Sequence, residues 1–303
     1  MRRCSVIGAH TSLSYSPRIH AEFAHTAGIE LDYGYIETPD EDGFAAAVRE
    51  FFAHEDAAGM NVTVPYKSAA AALADVLHIS VGRGAAVNTL ARLEDGRLAG
   101  HNTDGAGLIQ DLKHLGCPLT GARALILGAG GAVRGVLDAL IAAGVGSICI
   151  ANRTPGRAAE LAEIWDVETC ALGDVPPGAE LIINATAAGQ SAEAPQIDPE
   201  ILSGAFCYDL SYGIIARPFA LLASAAGASG WADGIGMLHR QAALSFEIWH
   251  GVRPDAEAVR QTLFGRGRFI AGAGCRECGS VDSICEAYSD SGVYRCVACD
   301  RLV

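Results

Sequence analysis

Hydrophobic and polar residues alternate along this chain in a way that predicts an α/β protein. Short apolar runs of strand length are each followed by a longer stretch in which apolar residues recur at every third or fourth position, as in an amphipathic helix. We expect strands at 5–8, 31–36, 61–64, 122–127, 147–150, 180–184 and 206–210. We expect helices at 18–27, 43–54, 69–77, 106–115, 133–143, 218–226, 237–249 and 254–263. Such an order of elements predicts largely parallel sheets covered by helices.

Length, composition and charge narrow the class of protein. The chain has 303 residues, half of them hydrophobic, which is enough for two domains with packed cores. Its formal charge of −13 argues against a nucleic-acid-binding surface but leaves room for a cationic pocket that takes a small anionic substrate. No signal sequence and no apolar run of membrane-spanning length is evident, so the sequence predicts a soluble cytoplasmic protein without membrane contact.

Residues 61–67 (NVTVPYK) are the first candidate for catalytic chemistry. They read as a short strand that ends at Pro65 and delivers Lys67 to the start of a helix. Alternate strand residues share a face, so Asn61 and Thr63 can point into the same pocket as Lys67. A lysine held against apolar walls loses hydration and can act as a base near neutral pH. The plain alternative is a solvated lysine at a helix start.

Two further segments place polar groups at strand-to-helix turns. Ser14 and Ser16 lie in a hydroxyl-rich loop before a helix, where side-chain and backbone donors can bind a carboxylate. Asp104 lies at the strand-to-helix turn before the helix at 106–115 and is either an N-cap or, if it faces Lys67, half of an acid–base pair. Asn88 is a polar residue among apolar ones, and the plain interpretation is a buried, satisfied amide.

The segment from about residue 121 onwards predicts a dinucleotide-binding unit. An apolar strand at 122–127 runs directly into Gly128-Ala129-Gly130-Gly131-Ala132 and then into a helix, the arrangement in which a glycine turn approaches a pyrophosphate. The third position of the G-x-G-x-x-G pattern is Val133, so the generic fingerprint is incomplete. Small residues at 184–189 suit the crevice where a nicotinamide lies.

The end of the next strand predicts NADP rather than NAD. This position often carries an acid that binds the ribose hydroxyls, whereas here it reads Asn152-Arg153-Thr154. An arginine pairs with a 2′-phosphate and stacks on adenine. Arg157 is a second candidate contact, and an ordinary surface arginine is the alternative.

Taken together, residues 5–264 resemble the shikimate dehydrogenase family. The motifs that carry the resemblance are Ser14–Pro17 with His20, Asn61–Lys67, Ala86–Leu90, Asn102–Gly105, Gly128–Arg134, Asn152–Thr154, Asn184–Gly189, Asp209–Tyr212, and Gly234–Ala243 with Ser245 and Phe246. Several are weak alone, but in this order and spacing they are specific.

The resemblance implies a reversible NADP-linked oxidation of shikimate to 3-dehydroshikimate, with Lys67 and Asp104 as the catalytic pair. The matching substrate-binding positions are Ser14, Ser16, Thr63, Asn88, Tyr212 and Gln241. The matching cofactor-binding positions are Gly128, Gly130, Gly131, Ala132, Asn152, Arg153, Thr154, Thr186 and Gly234. The implied architecture is a substrate-binding catalytic domain at 1–105, completed by 238–264, and a Rossmann-like doubly wound NADP domain at 106–237.

The chain departs from the family pattern in the first loop. His10, Thr11 and Leu13 stand where the family usually has proline, a small apolar residue and histidine, and Arg217-Pro218 replaces a usual Thr-Pro. The two serines favour shikimate, while quinate or an aminoshikimate stays an alternative substrate. A non-catalytic NADP or ligand sensor is the alternative from another class, and the chain is expected to be a monomer or a homodimer.

Residues 265–303 lie outside the family pattern and predict a linker followed by a zinc ribbon. Cys275 and Cys278, and then Cys296 and Cys299, form two C-x-x-C pairs separated by 17 residues. Four thiolates at this spacing suit one tetrahedral, structural Zn²⁺ that would stabilise a segment too short for its own core. A disulfide pair or an unfolded tail is the alternative, and a protein contact through the tail is a hypothesis.

Overall fold

The computed structural model describes residues 1–12, 14–191 and 193–264, together with two short strands at 284–286 and 294–296. Within these residues, two six-stranded sheets each carry their own flanking helices, and a separate two-stranded sheet lies in the C-terminal region. The alternating blocks of the sequence thus form an α/β fold with two main bodies.

The first sheet is mixed. Its strands are β1 Arg2–Gly8, β2 Leu31–Glu37, β3 Ala57–Val62, β4 Val76–Leu77, β5 Thr89–Arg92 and β6 Leu98–His101, in the spatial order β2-β1-β3-β5-β6-β4. β1 runs parallel to both β2 and β3, whereas β5 pairs antiparallel with β3 and with β6. The carboxyl ends of β1, β2 and β3 therefore meet at one edge of the sheet, where the Ser14 loop and the Lys67 turn begin.

Helices cover both faces of this sheet. They are α1 Ser16–Ala27, α2 Glu41–Ala53 and α3 Lys67–Leu73, joined by two helices from the far end of the described chain, α8 Ile235–His250 and α9 Ala256–Phe264. One core packs Phe44, Val48 and Met60 between α2, α3 and the strands. The opposite core packs Ile19 and Phe23 of α1 against Phe246 of α8. The return of α8 to the first sheet brings Gln241 to the same body as Lys67.

The second sheet is parallel throughout. Its strands are β7 Arg123–Leu127, β8 Ser147–Asn152, β9 Glu168–Ala171, β10 Leu181–Asn184, β11 Phe206–Asp209 and β12 Gly230–Ala232, in the order β12-β11-β10-β7-β8-β9. Counted from β7, this is the 3-2-1-4-5-6 order of a doubly wound dinucleotide-binding sheet. The strand order reverses between β7 and β10, and ligands of such sheets bind outside the carboxyl ends of the strands at that reversal.

The helices of the second sheet are α4 Asp104–His114, α5 Gly131–Ala142, α6 Pro155–Trp165 and α7 Arg217–Ala225. α4, α5 and α6 pack with Ile126 and Ile183 on one face, and α7 packs with Leu125 and Ile182 on the other. Because both faces are covered, the strands are continuous apolar runs, as β7 and β10 are in the sequence.

Most predicted elements are present, but some bounds differ and several elements lie outside the predicted ranges. The helix predicted at 69–77 begins at Lys67 and ends at Leu73, because Ala74 is extended and the chain continues into β4. The strand predicted at 61–64 is β3 and ends at Val62. No predicted helix covers α6, and no predicted strand covers β4, β5, β6, β9 or β12, which are each four residues long or shorter. Of the helices described here, none has the length and apolar character needed to cross a membrane.

Candidate active site

Lys67 and Asp104 meet at the centre of the site. Lys67 is the first residue of α3 and Asp104 the first residue of α4, and Nζ lies 2.6 Å from Oδ2. Their side chains are only 12% and 10% exposed. A nearly buried ion pair is stable only if its remaining hydrogen-bonding capacity is also used. The second carboxylate oxygen, Oδ1, accepts a hydrogen bond from Asn88 Nδ2 at 2.8 Å, so both oxygens are engaged.

Tyr66 fixes the turn that presents the lysine. Its ring is buried and stacks on Phe44 with centroids 4.8 Å apart, and its hydroxyl donates to the Thr38 carbonyl at 2.8 Å. Its amide donates to the Thr63 carbonyl, which closes the turn after β3. The sequence shows Tyr66 only as an aromatic beside the lysine, and nothing in the local pattern reveals its partner in α2.

Asn88 and Gln241 lie beside this pair. Asn88 Nδ2 also contacts Gln241 Oε1 at 3.2 Å and Thr103 Oγ1 at 2.8 Å. The Thr103 amide donates to Asn88 Oδ1 at 2.9 Å. Asn88 is thus a buried, satisfied amide next to Asp104, and its binding of a ring hydroxyl stays a prediction.

Further polar residues contact this group, and some of them were not predicted as site residues. Ser245 of α8 accepts from Asn61 Nδ2 at 3.0 Å and lies 2.7 Å from the hydroxyl of Thr89. Tyr33 donates its hydroxyl to Asn61 Oδ1 at 2.8 Å. Asn61 therefore connects β3, the strand before the lysine turn, to α8. The signal for Ser245 was its place in the Gly234–Phe246 motif, but its partners are distant in sequence.

The serine loop forms the next part of the site. Ser14 Oγ and Ser16 Oγ are 3.1 Å apart, and the Ser16 amide donates to Ser14 Oγ at 3.2 Å. The ring of Tyr15 lies 5.6 Å from that of Tyr212, and burial raises the pKa of the Tyr212 phenol. The structure thus brings Tyr212, from the second body, to the serine loop of the first.

Thr63 lies next to the start of that loop. Its methyl group occupies the space that a side chain at Gly8 would need. Gly8 ends β1 and leads into the loop, so the absence of a side chain there allows β3 and the loop to approach each other. Thr63 is only partly buried, and its backbone amide donates to Ile7 at 2.9 Å.

The glycine turn after β7 lies at the strand-order reversal of the second sheet. Gly128 has a φ of +105°, and a Cβ there would lie 2.9 Å from the carbonyl oxygen of Ala185 after β10. Gly130 caps α5 and Gly131 and Ala132 form its first turn, with open space around a Cβ at either glycine. The helix start therefore presents free amides to a ligand. Val133 is fully buried in the core, which explains why the third fingerprint position carries a bulky residue here.

The end of β8 exposes the residues predicted to select NADP. Asn152 Nδ2 donates to the Thr154 carbonyl at 2.8 Å, which shapes the turn into α6. Arg153 and Thr154 are exposed. An exposed guanidinium at this strand end is accessible to a phosphate.

Two further residues predicted to bind the cofactor are Thr186, which follows β10, and Gly234, which precedes α8. Thr186 Oγ1 donates to Asn184 Oδ1 at 2.8 Å, and Asn184 Nδ2 donates to Asp209 Oδ2 at 2.7 Å. Burial raises the pKa of Asp209 to about 6. Gly234 caps α8 directly against the carbonyl of Leu210, where a side chain would clash.

Within the second body, α4 packs closely on α5 next to the Lys67–Asp104 pair. A Cβ at Gly135 would lie 3.2 Å from Asn102 Nδ2 and 3.5 Å from Asp104 Oδ2. A Cβ at Gly105 would lie 2.7 Å from that of Ala139. Neither glycine was predicted as a packing residue, although Gly131-x-x-x-Gly135 is a visible signal for close helix approach.

The predicted zinc ligands cannot be placed in the same way. Cys275, Cys278 and Cys299 lie outside the described residues, and only the backbone of Cys296 is described, at the end of β14 Tyr294–Cys296. Its antiparallel partner is β13 Ile284–Glu286. Across the part of the chain that is described, no cluster of three or more metal-ligating side chains occurs.

Three parts of the chain match models of known protein families. Residues 6–90 match the model for the shikimate dehydrogenase substrate binding domain. Residues 111–194 match the shikimate / quinate 5-dehydrogenase model, and residues 234–264 match the shikimate 5'-dehydrogenase C-terminal domain.

Individual relatives agree over almost their full length. A Bordetella avium protein named shikimate dehydrogenase (NADP(+)) is 47% identical over 87% of this chain and 95% of its own. A Thioalkalivibrio sulfidiphilus protein of the same name is 45% identical over 87% of this chain and 98% of its own. The crystal structure of the Thermus thermophilus shikimate 5-dehydrogenase in complex with NADP(H) and shikimate is 35% identical with a TM-score of 0.77, covering 86% of this chain and 98% of that one. The chain belongs to the shikimate dehydrogenase family.

Proposed function

We propose that this protein catalyses the NADP-dependent, reversible oxidation of shikimate to 3-dehydroshikimate. The single observation that carries the proposal is the Lys67–Asp104 pair, whose Nζ and Oδ2 atoms are 2.6 Å apart beside the close contact of α4 with α5. The proposed proton-transferring group would thus lie next to α5, the helix whose N-terminus we propose for the dinucleotide. The names of the relatives at 45% and 47% identity support the same reaction.

Lys67 transfers the proton in the proposed mechanism. In the oxidation direction its neutral amine takes the proton of the substrate hydroxyl as hydride leaves the same carbon, and in the reduction direction the ammonium returns it. Asp104 accepts from the lysine through Oδ2 and from Asn88 through Oδ1, so its charge is held in one orientation. The ammonium meets the negative charge that develops on a carbonyl oxygen, which is electrostatic stabilisation from a fixed group.

The remaining pocket residues recognise the substrate. We assign the substrate carboxylate to the hydroxyls of Ser14 and Ser16, with Tyr212 beside them. We assign the ring hydroxyls to Thr63, Asn88 and Gln241. Support for this division comes from the contact of Asn88 with both Asp104 and Gln241, and from the packing of Tyr15 on Tyr212.

The second body fits NADP at the strand-order reversal. Bound NADP supplies the hydride acceptor. The positive φ of Gly128 and the uncapped start of α5 suit a pyrophosphate against Gly128, Gly130, Gly131 and Ala132. Asn152, Arg153 and Thr154 would hold the 2′-phosphate, and Thr186 and Gly234 would line the nicotinamide end. We take 1–105 with 238–264 as the substrate domain and 106–237 as the cofactor domain.

The test is NADPH formation by the purified full chain. Shikimate with NADP is the main arm, and quinate with NADP and shikimate with NAD are the parallel arms. Turnover confined to the main arm is the expected result. Turnover with quinate or NAD would overturn the specificity while keeping the mechanism, and binding of NADP without turnover in any arm would favour a ligand sensor.

The tail supports a separate proposal of a structural zinc ribbon. The antiparallel strands β13 and β14 follow the first C-x-x-C pair in sequence, and β14 ends at Cys296, the first cysteine of the second pair. Four cysteines in two such pairs suit a tetrahedral structural Zn²⁺. We expect about one Zn²⁺ per chain in purified protein and none after removal of 265–303. Undiminished metal in the truncated protein would refute the assignment. A cytoplasmic location, the oligomeric state and a protein contact through the tail stay predictions from the sequence.

A further inference from the structure

Glu37 makes an unusual contact with the loop that leads to Ser14. It is the last residue of β2 and pairs in register with Gly8, the last residue of β1. Its Oε1 atom accepts hydrogen bonds from the backbone amides of Thr11 at 2.7 Å and of Ser12 at 2.8 Å. One exposed carboxylate oxygen therefore satisfies two consecutive amides of the loop that leaves β1.

Further hydrogen bonds connect this contact to Ser14 and Ser16. The Thr11 carbonyl accepts the Ser14 amide at 2.9 Å, and Ser14 Oγ accepts the Ser16 amide at 3.2 Å. Thr11 is itself fixed on a second side, because its hydroxyl donates to the Ile36 carbonyl at 3.2 Å and its side chain is 1% exposed. The end of β2 thus sets the position of Thr11, and Thr11 sets the position of Ser14.

We propose that Glu37 is a positioning residue for substrate recognition, which holds the Thr11–Ser14 loop so that Ser14 and Ser16 can bind the substrate carboxylate. The proposal rests on the function proposed above. Hydrogen bonds from the Ser12 amide, the Ser12 hydroxyl and the Thr11 amide lower the pKa of Glu37, so the acceptor is ionised at neutral pH. The Glu37 carboxylate also accepts hydrogen bonds from two backbone amides that would have no partner in a mobile loop.

The kinetic test compares Glu37→Ala with Glu37→Gln. Gln retains an oxygen at the Oε1 position but no charge, so it keeps the acceptor and removes any repulsion between Glu37 and the substrate carboxylate. We expect Glu37→Ala to raise KM for shikimate about tenfold, with kcat within about threefold and KM for NADP unchanged. Gln should restore most of the loss. Glu41→Ala, an exposed acid in the first turn of α2, is the matched control and should equal the wild type.

Other outcomes would overturn the proposal. A shikimate KM in Glu37→Ala within twofold of the wild type would show that the loop does not need this contact. A lower KM in both variants would show that Glu37 acts by repulsion. A parallel loss in kcat and in NADP affinity would show general destabilisation.

Hydrogen exchange separates this proposal from the function itself. In the full chain without substrate, the peptide covering 9–16 should exchange faster in Glu37→Ala than in the wild type or in Glu37→Gln. If the wild type does not turn over shikimate, the proposed function fails, and the exchange rates alone then decide whether Glu37 holds the loop. Equal exchange in all three proteins would overturn the positioning role.

Discussion

Lys67 Nζ lies 2.6 Å from Asp104 Oδ2, although the two residues are 37 positions apart and begin different helices. Each follows a strand of the first sheet, β3 or β6, so the sheet fixes both helix starts. α4 then leaves for the second body, and its first turn packs on α5. Any change that separates α4 from α5 should therefore reach the chemistry through Asp104.

Removing the charge of Asp104 should lower turnover more than binding. In Asp104→Asn the ammonium of Lys67 loses its counterion while the side chain keeps its shape. We expect kcat to fall by about a hundredfold, at the lower end of the range for lost acid–base assistance, with a smaller change in KM for NADP. Steady-state kinetics with each substrate varied in turn checks this. A kcat at the wild-type level would exclude a catalytic role for Asp104.

A methyl group at Gly105 should disturb the Lys67–Asp104 pair by disturbing the packing of α4 on α5. In Gly105→Ala the new Cβ would lie 2.7 Å from the Cβ of Ala139 and 3.0 Å from the Gly135 carbonyl oxygen. Overpacking of this kind costs about 1–3 kcal/mol. We expect a lower free energy of unfolding, measured with urea, together with a reduced kcat. Gly34→Ala on the open edge strand β2 has nothing within 4 Å and is the control. Equal effects of the two changes would contradict the account.

Loss of the Arg153 guanidinium should change cofactor choice. We expect Arg153→Ser to raise KM for NADP by about ten- to a hundredfold, since a charge-assisted contact with a phosphate is lost. Any turnover with NAD should be unaffected, because NAD has no 2′-phosphate. Arg97→Ser, which removes an exposed arginine paired with Asp95 in the first body, is the control. An unchanged ratio of NADP to NAD efficiency would refute the assignment.

His20 should make the protein sensitive to acid. It is fully buried, its ring stacks on Tyr33 at 4.4 Å, and burial lowers its pKa from 6.5 to about 3. Neutral, buried His20 contributes to the free energy of unfolding above pH 6.5, the pKa of histidine in the unfolded chain. This contribution is lost as the pH falls from 6.5 towards 3, the pKa of His20 in the folded protein. Between pH 7.5 and pH 5 it accounts for a loss of about 2 kcal/mol.

The measurement for His20 is urea unfolding at the two pH values. His20→Leu should reduce the pH-dependent loss by that amount, whatever its own baseline stability. His25→Leu, at an exposed position, should leave the loss unchanged. Parallel pH dependences in the wild type and in His20→Leu would contradict the burial argument.

Much of this site could be predicted from the sequence because its chemistry is carried by local motifs. Lys67 and Asp104 each stand at a strand-to-helix turn, and Gly128 follows directly on an apolar strand. The contacts that support them depend on distant partners and leave no local pattern. Ser245 reaches Asn61 from 184 residues away, and Glu37 reaches Thr11 and Ser12 from 26 and 25 residues away. The false extension of α3 has a similar cause, since a run of alanines gives no stop signal before β4.

The most direct test of the central claim is the rate of NADPH formation from shikimate in Lys67→Ala, measured beside Lys113→Ala. The chain has two lysines, and Lys113 is exposed at the end of α4. If Lys67 moves the proton, kcat falls by about a hundred- to ten-thousandfold in Lys67→Ala while NADP still binds, and Lys113→Ala turns over at the wild-type rate. Wild-type turnover in Lys67→Ala would contradict the assignment of the Lys67–Asp104 pair.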